Sequence, residues 1–195
     1  MIKYPNGIEP NKNKNKHHKF KITVKSGNRG MALENNINLT NAYYKEKGLC
    51  LITKRPTPIN VVKVDYTHGA RITDAYFEKQ STTDYNGVYK SRYIDFEAKS
   101  THSKTSFPLS NIPSQQINHL ENVIAHGGIA FFIIQFAPMN ETYLLDAKYV
   151  LNFNKENNRQ SLPYEYIKEN GFLIKEGYQP RLDYLPIVDK IYFSN

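Results

Sequence analysis

The residues best suited to chemistry cluster in Arg92–Lys99, which reads Arg-Tyr-Ile-Asp-Phe-Glu-Ala-Lys. Alternate side chains share a face along a strand. Ile94, Phe96 and Ala98 then form one face, and Tyr93, Asp95, Glu97 and Lys99 the other. An acid and a lysine two residues apart thus project together from a strand whose back is apolar. Upstream, Ser81-Thr82-Thr83-Asp84 leads into Asn86-Gly87, a strong two-residue hairpin signal. On that reading Thr82 and Asp84 share a face, and Asp84 meets Glu97 across adjoining strands. Two carboxylates a few Å apart repel unless a cation lies between them. Hard oxygen ligands of this kind suit Mg²⁺, with Mn²⁺ as an alternative. A lysine beside the metal would supply positive charge to a developing phosphorane and orient an attacking water. The competing reading is an ordinary surface strand with a cross-strand ion pair. Asp146-Ala147-Lys148 shows how readily acid-x-lysine recurs without a matching upstream acid.

The flanking segments describe what must position these groups. Leu33, Ile37, Thr40/Asn41 and Tyr44 recur at helical spacing, with Gly48 as the stop. Leu49–Lys54 reads as a strand ended by Pro56 and Pro58. Ile59–Tyr66 and Arg71–Lys79 form a two-stranded projection turned at Thr67-His68-Gly69. A second helix has Pro113 in its first turn and Ile117, Leu120 and Ile124 as its buried stripe. The apolar run Ile129–Phe136 is a central strand covered on both faces. Tyr143–Leu145 is expected beside it, and short helices at Ala147–Phe153, Pro163–Asn170 and Leu185–Tyr192. Together these predict a single α/β domain with a mixed sheet flanked by helices. It spans residues 29–195, with the protruding stalk at about 59–79 and a flexible basic arm over residues 1–28.

Composition narrows the function classes. No stretch of the chain approaches the roughly 20 apolar residues of a membrane span, and Met1-Ile2-Lys3-Tyr4-Pro5 opens no secretory h-region. Cys50, the single cysteine, excludes a disulfide framework or a cysteine-based zinc site and fits a core position better than a nucleophile. A cytoplasmic, nucleoid-associated protein is expected. Lysine and arginine number 26 against 18 acids, a net charge of +8 and a pI near 9.3. Residues 1–30 hold eight of those cations against Glu9 alone, so nearly all the excess sits in the Asn-Lys-rich arm. Such a segment stays disordered when free. It is either a solubilising tail or a phosphate-seeking one.

The surroundings of the acidic cluster extend well past the Asp…Glu-x-Lys minimum of the PD-(D/E)xK nucleases, and they resemble the RecU family of Holliday-junction resolvases. The matching stretches are Tyr4-Pro5-Asn6-Gly7, Arg29-Gly30-Met31 with Leu33-Glu34, Lys54 with Pro56-Thr57-Pro58, and Ala75-Tyr76-Phe77. The longest are Ser81–Tyr89 and Tyr93–Lys99, followed by Lys104–Leu109, Gln116, and Pro180-Arg181 with Asp183-Tyr184. The resemblance implies a restriction-endonuclease-like fold and Mg²⁺-dependent resolution of four-way junctions in recombination and repair. It places the metal at Thr82, Asp84, Glu97 and Gln116, and makes Lys99 catalytic beside Asp84 and Glu97. Glu34 is an outer-shell candidate. Read without the resemblance, Gln116 is an N-terminal helix residue solvating the first turn, and Glu34 is an exposed helical carboxylate. The resemblance further implies a homodimer, which suits the two symmetry-related strands of a junction, and a strand-exchange recombinase as a further partner. Arg29, Lys63, Arg71, Tyr76 and Phe77 are candidate DNA contacts, the two aromatics having packing at the stalk base as their competing role. The stalk tip departs from the family: Thr67-His68-Gly69-Ala70 stands where many relatives carry a longer, Pro-Lys-Arg-Ser-like loop.

Two other readings stay open: a nuclease of the same fold with restriction-type or flap specificity, and a non-cleaving DNA-binding or strand-annealing partner of the recombination machinery. The arm has its own test. Deleting residues 1–25 removes seven lysines and one glutamate. The slope of log K for DNA against log salt should become shallower by roughly 0.9 for each phosphate the arm had neutralised. An unchanged slope in a binding titration would make the arm a solubilising tail.

Overall fold

The computed structural model describes residues 27–78, 82–156 and 159–194. The basic arm expected at 1–28 lies outside them, apart from Gly27 and Asn28. The first helix, α1, runs Gly27–Glu46. Leu33, Ile37, Thr40, Asn41 and Tyr44 are all buried, as their spacing predicts. Gly48, at φ +67, provides the left-handed residue that ends it.

After α1 the chain forms β1 (Leu51–Lys54), β2 (Ile59–Asp65), β3 (Arg71–Phe77), β4 (Tyr85–Tyr89), β5 (Arg92–Thr101) and β6 (Ser106–Pro108). Helix α2 (Ser114–Ala125) crosses to β7 (Ile129–Phe136), which pairs parallel to β5. Next come β8 (Glu141–Asp146), α3 (Ala147–Glu156), β9 (Ser161–Pro163) and α4 (Tyr164–Asn170). The described chain closes with β10 (Phe172–Leu173), β11 (Lys175–Glu176), β12 (Leu182–Asp183) and α5 (Leu185–Tyr192). The main sheet has the order β1-β4-β5-β7-β8-β10 and is antiparallel except at β5–β7. This is the expected mixed sheet flanked by helices.

One face of the sheet packs on α1 and α5 through Ile94, Phe96, Phe131 and Tyr184. Phe96 stacks between Tyr85 and Phe131 at centroid distances of 4.9 and 4.6 Å. The other face packs on α2, α3 and α4 through Leu120, Phe132, Ile134, Val150 and Ile167. The strands β2 and β3 pair only with each other and stand apart from the main sheet as an exposed ribbon. A backbone bond from Glu78 to Pro58 (3.0 Å) closes its base.

Two local expectations need correction. Asn86-Gly87 is not the hairpin turn. Both residues lie inside β4, where Asn86 opposes Thr53 and Gly87 opposes Ile52 of β1. The β4–β5 turn is Lys90-Ser91, both in the left-handed region at φ 47 and 63, as a type I′ turn requires. Gly87 serves close approach instead: a Cβ there would lie 2.0 Å from the Leu51 carbonyl oxygen. On α2, Pro113 precedes the helix as its N-cap, and the buried stripe is Gln116, Leu120 and Val123. Ile124 is exposed and Ile117 only half-buried. The inward face is rotated because a glutamine, which hydropathy assigns to solvent, points into the protein.

Gly87→Ala should force β1 away from β4 at a cost of roughly 1–3 kcal/mol. A fall in melting temperature of roughly 3–10 °C checks it.

Candidate functional site

The β4–β5 register sets Tyr85 opposite Phe96, so the residue before β4, Asp84, falls beside Glu97. The Asp84 backbone N–H donates to Glu97 Oε2 at 3.1 Å, and the Ala98 N–H donates to Asp84 Oδ2 at 3.4 Å. Glu97 is fully buried. Its Oε1 pairs with Lys99 Nζ at 2.5 Å, and the Lys99 side chain is 24% exposed. Burial pushes the Glu97 carboxyl up to about 8; the Lys99 ammonium opposes that rise and the Asp84 charge adds to it. Gln116, in the first turn of α2, donates from Nε2 to the Thr82 carbonyl oxygen at 3.2 Å. Its buried Oε1 has no hydrogen-bond partner among the described residues. An orphaned amide oxygen, two carboxylates and a threonine form an all-oxygen donor set suited to a hard divalent cation.

A second buried carboxylate lies two residues away on the same face. Asp95 is fully buried and is met by four side chains. Arg55 Nη2 donates to Oδ2 at 2.7 Å, Tyr93 OH donates at 2.7 Å, and His119 Nε2 stands 2.9 Å away. The Thr83 hydroxyl donates to Oδ1. Arg55 also holds the Thr83 hydroxyl at 2.8 Å, and its backbone N–H donates to the Asp84 carbonyl at 2.8 Å.

The structure therefore brings together Asp84, Glu97, Lys99, Thr82 and Gln116. Thr82 and Asp84 sit in a bend before β4 rather than in a strand, so strand alternation does not orient them. Glu34 is engaged with Lys54, and its backbone carbonyl accepts from Tyr85 OH at 3.2 Å. The Tyr85 phenol is raised by burial first, then by the charges of Glu34, Asp84 and Glu97, so the three acids share one electrostatic neighbourhood. The other candidates lie elsewhere. Arg29 falls in the first turn of α1. Lys63 and Arg71 lie on the exposed ribbon, where Tyr76 and Phe77 are 60% and 78% exposed. Cys50 is half-buried against the α1-side core, and burial raises its thiol to about 11.

Arg55, Thr83, Tyr93, Asp95 and His119 are polar residues around the site that the sequence reading left without a role. Strand alternation already put Asp95 on the face of Glu97 and Lys99; Arg55 and His119 reach it only through tertiary packing.

A mixed sheet with an acid at the entry of one strand and Glu-x-Lys on the next has the arrangement of the PD-(D/E)xK class. Residues 28–190 match the family described as Recombination protein U, RecU, and the chain belongs to that family. It is similar to the Holliday junction resolvase RecU of Geobacillus kaustophilus, at 49% identity over 99% of this chain and 98% of the relative. The Holliday junction resolvase RecU of Bacillus cytotoxicus is 50% identical, covering 99% of each chain. Among solved structures, the Holliday junction resolvase Hjc of Archaeoglobus fulgidus aligns with a TM-score of 0.44 and 9% identity, over 74% of this chain and 91% of that one.

The raised Glu97 pKa has a stability signature. The folded chain holds this proton to higher pH than the unfolded chain, whose ordinary value is 4.5. The group's contribution is complete below that value and is lost as pH rises through about 8. In chelator, wild type should therefore lose stability relative to Glu97→Gln between about pH 5 and about pH 9. Denaturation midpoints of the two proteins across that range check it; a constant gap would refute the shift.

Proposed function

We propose that this chain is a divalent-metal-dependent endonuclease that resolves four-way (Holliday) DNA junctions by paired phosphodiester hydrolysis, working as a homodimer in recombination and repair. The observation that carries the chemistry is the juxtaposition of Asp84 with Glu97, itself ion-paired to Lys99, beside the inward, unpartnered oxygen of Gln116. The names of the relatives carry the substrate. Thr82, Asp84, Glu97 and Gln116 would hold the cation, Mg²⁺ being the physiological choice for hard oxygen ligands. When bound, that ion supplies Lewis acidity and charge neutralisation at the scissile phosphate.

The chain's own groups do the rest. Glu97 must lose its proton before it can serve as a ligand, so cation binding competes with that proton. Lys99, anchored by Glu97 and partly open to solvent, presents positive charge where the pentavalent phosphorane gains negative charge, and orients the attacking water. The exposed ribbon offers Lys63 and Arg71 to phosphates and Tyr76 and Phe77 to unstacked bases, with Arg29 a further contact near the start of α1. A two-fold dimer would present two such sites to the two symmetry-related strands. A DNA-cutting role places the protein in the cytoplasm at the nucleoid.

The test is a synthetic mobile four-way junction incubated with and without Mg²⁺, beside linear duplex and flap controls. Wild type should nick the junction symmetrically and only with the cation. Asp84→Asn, Glu97→Gln and Lys99→Ala should each lower the rate by at least ~10²-fold while junction affinity stays within a few-fold. Wild-type rates in all three variants would remove these residues from the site, and equal cutting of linear duplex and flap would leave a nuclease without junction selectivity.

A further inference from the structure

The Asp95 carboxylate is more heavily tethered than a structural ion pair requires, and its tethers lead to each element that carries a proposed ligand. Thr83, whose hydroxyl donates to Asp95, lies between Thr82 and Asp84. Arg55 bonds Asp95 with one end of its guanidinium, Thr83 with the other, and the Asp84 carbonyl through its own backbone N–H. His119 contacts Asp95 from α2, one helical turn beyond Gln116. Asp95 itself is two residues before Glu97 on the same face of β5.

We infer that Asp95 is a positioning residue that sets the spacing of Thr82, Asp84, Glu97 and Gln116 through Thr83, Arg55 and His119. This rests on the metal-site reading above. Asp95 does not reach substrate or cation; it fixes the loop, the strand and the helix relative to one another. The four proposed ligands come from three elements, the loop before β4, β5 and α2, and a donor set assembled in that way holds its geometry only if something ties the elements together. The charge of Asp95 is already balanced by Arg55, so removing it frees the loop as well as the helix.

The experiment is Mn²⁺ binding by the full chain without DNA, followed by electron paramagnetic resonance, with thermal unfolding recorded beside it. Asp95→Asn should weaken Mn²⁺ binding at least tenfold, and Thr83→Val, which leaves the Arg55–Asp95 pair in place, at least threefold. In cleavage assays the Mg²⁺ concentration for half-maximal rate should rise in parallel. Saturating Mg²⁺ should restore most of the wild-type kcat, and junction affinity in chelator should be unchanged. If folded Asp95→Asn and Thr83→Val bind Mn²⁺ as wild type does while Asp84→Asn and Glu97→Gln lose it, the positioning role is overturned and the metal site stands. If Asp84→Asn and Glu97→Gln also bind as wild type, the metal-site reading itself fails and this role with it. Should Asp95→Asn not fold, Thr83→Val decides the matter by the same criterion.

Discussion

Two carboxylates with no solvent exposure on one face of the central strand β5 are the constraint around which the rest of the structure is arranged. An isolated buried carboxylate is strongly unfavourable, so each must be neutralised or compensated. The two are handled in opposite ways. Asp95 receives an arginine, a threonine, a tyrosine and a histidine, whose contacts compensate its burial. Glu97 has one lysine and one backbone N–H, and burial raises its pKa to about 8. It is under-compensated in the free protein. On the proposed reading, a cation at the site would replace the proton that Glu97 otherwise retains.

The remainder of the core supplies the rigidity that such a site demands. On the opposite face of β5, Phe96 is clamped between Tyr85 and Phe131, and Ile94 and Ala98 complete an apolar surface against α1 and α5. The strand cannot rotate about its axis to expose Asp95 and Glu97 without moving Phe96 out of that stack. From the other side α2 closes over the acids with Leu120 and Val123, carrying Gln116 inward. The face of β5 that bears the acids is thus wedged between two apolar layers, a low-dielectric setting in which charge and hydrogen bonding act strongly.

How much of this was legible follows from the range of the signals. The α1 stripe from Leu33 to Tyr44, the buried run of β7 and the bounds of α5 are written in local periodicity, and they appear as expected. Period-two alternation sufficed to put Asp95, Glu97 and Lys99 on one face, because a strand has only two. Asn86-Gly87 misled because the turn rule assumes glycine is chosen for φ, whereas Gly87 is chosen for its missing Cβ against Leu51. The real turn, Lys90-Ser91, uses residues with no special preference for the left-handed region, held there by the pairing on either side. The stripe of α2 escapes hydropathy for a related reason: hydropathy places Gln116 in solvent, whereas its amide is turned inward to donate to the Thr82 carbonyl. Arg55 and His119 carry no local mark at all, since each gains its role from Asp95, 40 and 24 residues away.

The exposed ribbon is joined to the site more closely than its projection suggests. Its first strand leaves the domain at Pro56-Thr57-Pro58, directly after Arg55, the residue that grips Asp95, Thr83 and the Asp84 carbonyl. Its second strand ends at Phe77, only a few residues before Thr82. In sequence, both ends of the ribbon adjoin segments that carry contacts of the Asp95 network. The prolines restrict the backbone between Arg55 and β2, and the Glu78–Pro58 bond ties the two strands together where they depart. A two-stranded ribbon standing alone is marginal by itself, so its base is where it is held. The ribbon's first strand thus departs from the residue next to the Asp95 clamp, so one stretch of chain carries both the grip on the acids and the exit of the projecting ribbon.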